Sequence, residues 1–351
     1  MNKTIIKLAL ATSLALSAST ALGADKLLLK TPIAFSTSLP GLGSPIPRVA
    51  EQLNLMSGGT LKMKVYEPGK LVKPFEILGA VSSGAINSGY TTAGYWAGKI
   101  PASPLFSAVP FGPEAGEYMA WLYYGNGMEL YQGMYDQAGY NVHVLPCAII
   151  APETSGWFSK EINSKDDLKG LKMRFFGLGG KVMQKLGVAI SLLPGGEIFP
   201  ALEKGAIDAT EFSMPAIDKR LGFHKVVKYN YFPGWHQQAT VFELLVNKDV
   251  WNEMSGQHKA LTENACKASM TDSLAEGEAI QFEAMQENID KNGVHIMQWS
   301  DEMLALFKTT WDEVAVEEAA NDAYFKTVLD DLTEFRDGYK LWKENAFLPR
   351  K

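Results

Sequence analysis

Residues 171–180 read LKMRFFGLGG. A short apolar, strand-like run carries Arg174 at its centre and passes through two aromatics into a glycine-rich turn, the order of a strand feeding a helix. A guanidinium is always charged and is seldom buried without a partner. Two partners suit it: one of the chain's own carboxylates, or the carboxylate of a small ligand received through parallel hydrogen bonds. Position alone favours neither.

Working outward, residues 198–213 (IFPALEKGAIDATEFS) repeat a pattern met earlier at 75–92 (FEILGAVSSGAINSGYTT). In both, an apolar-periodic helix ends in Gly-Ala-Ile followed by Asn87 or Asp208, and a strand follows. Glycine supplies the left-handed residue that such a helix end requires. Two unrelated helix-to-strand turns would give the same letters. Read as a repeat, the pattern implies two similar lobes, each delivering a strand that ends in residues 90–92 or 211–213. Ligands of open α/β sheets bind outside such strand ends, so two facing lobes make a cleft.

The remaining segments fit an α/β chain. KLLLKTPIAFS reads as a first strand, 47–56 as a helix and TLKMKVYEPG as a second strand, an order that implies at least partly parallel pairing. The strong strand at 241–246 returns the chain to the first lobe. Residues 257–291 contain no proline and follow Ser255, a suitable N-cap, so a single long helix spanning both lobes is expected. The expected division is 24–149 with about 238–275 in lobe I, and 150–237 with about 276–351 in lobe II.

The N-terminus carries Lys3 and Lys7, an apolar core from Leu8 to Leu16 and a small-residue site at Ala21-Leu22-Gly23. That is the order of a secretory signal peptide over residues 1–23, with too short a core for a membrane span. Its removal would leave 31 basic against 39 acidic residues, a net charge of −8 without a basic cluster. Nucleic acid and anionic membrane surfaces are poor partners for such a chain, and no later run reaches membrane-spanning length. The remaining length of about 328 residues exceeds what one core usually serves, again implying two lobes. Cys147 lies in an apolar strand and Cys266 in a helical run; two buried thiols fit as well as a disulfide, and no bridge is assigned.

Catalytic signatures are missing. There is no H-E-x-x-H, paired C-x-x-C or G-x-S-x-G, and Val182 stands where a phosphate loop needs Ser or Thr. What remains is a set of cleft candidates. Arg174, Glu153, Glu211, His236 and Gln237 supply polar groups, while Tyr95, Trp96, Phe176, Phe212 and Trp235 supply aromatic walls. Such a mixture suits a polar ligand.

The segments GLKMRFFG (170–177), ALEKGAIDATEFS (201–213) and YFPGWHQ (231–237), with the uninterrupted run 257–291, make the chain resemble the periplasmic solute receptors of TRAP (tripartite ATP-independent periplasmic) transporters. The resemblance covers essentially the whole chain after the leader. It implies a two-lobe periplasmic binding protein fold of the α/β class with hinge-crossing strands, no catalysis, and an arginine of the K-M-R motif, here Arg174, that receives an organic acid. It also implies membrane permease subunits as partners and a periplasmic location.

Within that family the chain looks most like the branch that binds 2-oxo and 2-hydroxy acids together with a metal ion. Where that branch has Gln, Glu-Trp and Glu, this chain has Glu153, Glu211-Phe212 and Gln237. One acid appears as another disappears, so a sodium or calcium site built from Glu153, Glu211 and the Phe212 carbonyl stays chemically open, since such ions want oxygen ligands. Glu153 equally suits two other roles, holding Arg174 in the empty protein or binding a ligand donor. Phe in place of Trp at 212 widens the wall, so a bulkier or aromatic acid rivals pyruvate. A ligand sensor, a receptor for another transporter class and a periplasmic enzyme are the competing functions.

Overall fold

The structure, a computed structural model, describes residues 26–348; the expected signal peptide lies outside them. Lobe I opens with strand β1 (Leu27–Pro32), helix α1 (Pro45–Met56) and strand β2 (Leu61–Tyr66). It continues through α2 (Ile77–Ser82), β3 (Ser88–Thr91), α3 (Ala115–Tyr124), α4 (Gly127–Gln137) and β4 (Val142–Ile150). Lobe II holds β5 (Gly156–Phe158), β6 (Lys172–Arg174), α5 (Gly177–Lys185), β7 (Ala189–Ser191), α6 (Gly195–Glu203), β8 (Ala209–Thr210), α7 (Pro215–Leu221) and β9 (Tyr229–Phe232). Strand β10 (Thr240–Asn247) then returns to lobe I, followed by α8 (Lys248–Glu253), α9 (Gly256–Ala279), α10 (Gln281–Asp290), β11 (His295–Gln298), α11 (Asp301–Asn321) and α12 (Ala323–Ala346).

In lobe I, β1 pairs with β2 in parallel, and β10 lies antiparallel between β3 and β4. A parallel bridge from Ile33 to Tyr90 joins the two groups. Lobe II is one six-stranded sheet ordered β11-β9-β5-β8-β6-β7, with β6 parallel to both β7 and β8. Fully buried β10, whose eight residues are all enclosed, reads as an almost unbroken apolar run because both its faces are covered.

The repeated Gly-Ala-Ile turn has the same construction in each lobe. Gly84 and Gly205 adopt φ of 75° and 66°. Asn87 Oδ1 then accepts the Lys30 N–H at 2.7 Å, and Asp208 Oδ2 accepts the Lys172 N–H at 3.0 Å. Each side chain ties its turn to the neighbouring strand, β1 or β6.

Two expectations need correction, and one question left open by the sequence is answered. The long helix is two helices interrupted at Ile280. There the Gln281 side chain donates to the Gly277 carbonyl at 2.6 Å and accepts the Ala216 N–H at 3.0 Å, so the interruption falls where the helix docks on α7. The last helix, placed with lobe II from sequence, packs on lobe I: Trp121 Nε1 donates to Asp331 at 2.7 Å, Tyr324 Oη to the Leu130 carbonyl at 2.8 Å, and Arg336 pairs with Glu117 at 2.9 Å. Cys147 and Cys266 form a disulfide that ties β4 to α9. No helix among the described residues is long and apolar enough to cross a membrane.

Candidate functional site

Strands β6 and β8 run parallel and end together, which sets Arg174 beside Glu211; the Glu211 N–H donates to the Arg174 carbonyl at 3.1 Å. The guanidinium then folds back on its neighbour. Nη1 donates to Glu211 Oε1 at 2.6 Å and to the Glu211 carbonyl at 2.8 Å, and Nε donates to the Leu193 carbonyl at 3.2 Å. The Phe212 ring covers its face, with Cζ 5.2 Å from the centroid. Nη2 makes no hydrogen bond to the described residues. Arg174 as a whole is only 2 % exposed and lines the pocket between the lobes, so that nitrogen is free to meet an acceptor there.

The second acid comes from the crossing between lobes. Segments 151–155 and 231–239 run side by side, the Glu153 N–H donating to the Gln237 carbonyl at 3.2 Å and the Ser155 N–H to the Tyr231 carbonyl at 2.7 Å. Glu153 Oε1 accepts from Thr240 Oγ1 at 3.3 Å, and that hydroxyl accepts from Gln237 Nε2 at 2.7 Å. His236, next to Gln237, puts Nε2 3.6 Å from Glu211 Oε2 and 4.0 Å from Glu153 Oε2. Both carboxylate Oε2 atoms, both His236 nitrogens and Gln237 Oε1 are buried without a hydrogen-bond partner.

The two carboxyls differ electrostatically. Burial, followed by the charge of Glu211, pushes Glu153 well above the usual carboxylate range. Burial acts on Glu211 in the same sense, but Arg174, His236 and the Phe176 N–H, which reaches Oε1 at 2.5 Å, together hold it below its ordinary value. A third buried acid, Asp218, accepts Trp157 Nε1 at 2.8 Å, and burial pushes it up to about 8. Arg174 thus balances Glu211, while burial favours the protonated form of Glu153 until a cation takes the place of its proton. The unpartnered oxygens of Glu153 and Glu211 therefore fit a bound cation on the observed donor set.

Between the lobes lies a small pocket of about 20 Å³, lined by buried side chains. Its polar wall is Arg174, Glu153, Gln237, Thr240 and Thr92, and its aromatic wall is Tyr95, Phe176, Phe212, Phe35 and Phe242. Phe176 of lobe II meets Tyr95 of lobe I edge-to-face at 5.5 Å. The lobes are thus closed on one another.

Six of the residues singled out in the sequence share this cavity: Arg174, Glu153, Phe176, Phe212, Gln237 and Tyr95. Glu211 and His236 stand against it, within ligand distance of Glu153. Two residues do not reach it. Trp96 points into lobe I, where Nε1 donates to the buried Glu243 at 3.0 Å. Trp235 stacks between Phe307 at 4.7 Å and Phe111 at 5.7 Å, so it is packing at the crossing rather than a cavity wall. An aromatic in a loop gives no sequence sign of which way its ring turns. Thr240 was missed; it stands first in an apolar strand, where a hydroxyl reads as ordinary β-branched filling. Thr92 was visible only as the end of the first repeat.

Comparison with known proteins follows the same lines. Residues 45–322 match the DctP family, described as bacterial extracellular solute-binding protein, family 7. A monocarboxylate 2-oxoacid-binding periplasmic protein of Nostoc sp. (strain PCC 7120) is 36 % identical over 294 residues, covering 84 % of this chain and 80 % of its own length. A TRAP transporter solute-binding protein from Bordetella bronchiseptica RB50, a dimer with copurified calcium and picolinate in an active site, superposes with a TM-score of 0.89 at 28 % identity, over 92 % of this chain and 95 % of that one. One from Colwellia psychrerythraea, with bound calcium and pyruvate, gives a TM-score of 0.87 at 32 % identity over 92 % and 98 % of the two chains.

Proposed function

Because the chain belongs to bacterial extracellular solute-binding protein family 7, we propose that it is the periplasmic receptor of a TRAP transporter. It closes on a small organic monocarboxylate and delivers the acid to membrane permease subunits. The observation that carries this reading is the division of Arg174: Nη1 and Nε are satisfied by the protein, Nη2 makes no hydrogen bond to the described residues, and the side chain lines the pocket between the lobes. A ligand carboxylate supplies the acceptor that the buried guanidinium lacks.

The ligand is a 2-oxo or 2-hydroxy acid, or a bulkier aromatic acid admitted by Phe212. Pyruvate and picolinate in the related structures support both kinds. Arg174 takes the carboxylate, Gln237, Thr240 and Thr92 are placed to meet the substituent at C2, and Tyr95, Phe176 and Phe212 form the walls. A cation beside the acid is held by Glu153 and Glu211, with the Phe212 carbonyl as a further oxygen donor. Such an ion neutralises the carboxylates and polarises the ligand oxygen bound to it.

A thermal-shift panel of 2-oxo, 2-hydroxy and aromatic acids, with and without sodium or calcium, tests the reading. The cognate acid stabilises the protein by about 2.7 kcal/mol at a hundredfold excess over its dissociation constant. If no carboxylate raises the melting temperature under any cation, the assignment is wrong.

A further inference from the structure

We propose that the cation of this site is a divalent first-row transition ion of the zinc or cobalt kind, held by His236 Nε2 together with Glu153 Oε2 and Glu211 Oε2. This rests on the reading of the cavity as a carboxylate receptor with an ion beside Arg174, and it changes which ion and which acid the receptor takes. An oxygen-only set would suit sodium or calcium; an imidazole nitrogen shifts the preference toward zinc, cobalt or nickel.

The geometry supports a shared ion over a hydrogen bond. Separations of 3.6 and 4.0 Å from Nε2 to the two oxygens are too long for hydrogen bonds. Two donors bonded at about 2.1 Å to one ion lie about 3.4 to 4.1 Å apart when their angle opens from tetrahedral toward 150°. All three atoms are buried and unpartnered, and one ligand atom from each residue lies within 4.8 Å of the others. A water molecule in the gap would fill the space but bring no charge, whereas Glu211 already takes up the one guanidinium and the incoming acid adds a further negative charge.

The ring is held in position for this. A Cβ at Gly179 would come within 2.8 Å of His236 Cβ, and Phe175 meets the imidazole edge-to-face at 4.8 Å. Helix α5 therefore presses on the back of His236 and leaves Nε2 toward the acids. Three protein donors leave coordination positions open on the cavity side. An acid fills them best through a carboxylate oxygen and a neighbouring oxygen or ring nitrogen, so chelating acids are the substrate class.

The test uses the full chain stripped with a chelator. Zinc, cobalt and calcium are titrated alone and in the presence of picolinate or pyruvate, followed by calorimetry and melting temperature. The expected result is that His236→Gln lowers the ratio of zinc to calcium affinity at least about tenfold, and that the cobalt-loaded wild type shows an imidazole nitrogen in its pulsed paramagnetic resonance spectrum or its X-ray absorption fine structure. An unchanged ratio, or a metal-loaded wild type without imidazole coordination, overturns the inference; the second measurement decides if His236→Gln does not fold. Acid binding that persists with calcium alone in either case leaves the receptor reading intact. Metal binding with imidazole coordination but no acid uptake overturns the receptor reading instead.

Discussion

Arg174 Nη1 lies 2.6 Å from Glu211 Oε1, and the two side chains are 2 % and 0 % exposed. The contact is an internal ion pair, yet Glu211 Oε2 is left buried without a partner and Arg174 Nη2 makes no hydrogen bond to the described residues. One residue of the pair thus offers a donor to an anion and the other an acceptor to a cation. The two roles weighed for Arg174 from sequence, internal pairing and ligand capture, fall on different nitrogens of the same guanidinium.

Removing that guanidinium should therefore cost twice. Arg174→Ala leaves Glu211 buried and uncompensated, which destabilises by about 3 to 5 kcal/mol, and removes the ligand's partner, which costs about 2 to 5 kcal/mol of binding. Adding Glu211→Gln in the same chain relieves the first loss and not the second. Chemical denaturation and calorimetry separate them; a double variant that recovers acid affinity would contradict the division of roles.

The disulfide closes 119 residues of chain, from β4 to α9. Most of its stabilisation comes from restricting the unfolded state. Replacing both cysteines with alanine should lower the unfolding free energy by about 2 to 5 kcal/mol while leaving ligand affinity unchanged, because neither residue lines the cavity. Denaturant midpoints before and after replacement check this, and a loss below about 1 kcal/mol would refute it.

Glu243 supplies a pH dependence. Trp96, Tyr131 and Tyr135 all donate to its carboxylate, but burial pushes it up to about 7. Unfolded, it titrates at 4.5. Between these values the folded chain holds a proton that the unfolded chain has lost, so stability falls as pH rises from about 4.5 to 7 and levels off above. The span corresponds to a change on the order of 3 kcal/mol. In Glu243→Gln this part of the slope disappears, leaving the contributions of Asp218 and Glu153, which act in the same direction. Parallel stability curves for the two proteins would show that Glu243 does not titrate there.

Glu243 also illustrates what the sequence hides. In VFELLV it is an acid inside an apolar run, and its three donors arrive from residues 96, 131 and 135, which no local pattern connects. The disulfide is hidden for the same reason: each cysteine is locally an apolar strand or helix residue. By contrast, the Gly-Ala-Ile turns and the K-M-R strand are legible because backbone conformation and strand ends are set within a few residues. They located Arg174, Glu211 and Thr92 at facing strand ends. The orientation of Trp96 and Trp235, the docking of α12 on lobe I and the interruption at Ile280 all depend on packing against distant elements. His236 was legible as a cleft residue, but its approach to both glutamates required the two crossings to be seen together.

Closure itself should be adjustable without touching the cavity. Arg220 of α7 donates Nη1 to the Ser38 carbonyl of lobe I at 2.6 Å, an exposed contact between the lobes. The contact joins the two lobes, so if opening breaks it, its removal shifts the opening equilibrium by the energy of that one hydrogen bond. An exposed charged donor to a carbonyl contributes about 0.5 to 1.5 kcal/mol, so Arg220→Ala should weaken acid binding by about two- to twelvefold. The ligand's own contacts are unchanged, so the loss should lie mainly in faster dissociation rather than slower association. Stopped-flow kinetics distinguish these: an unaltered dissociation rate would mean that the Arg220–Ser38 contact does not latch the closed lobes.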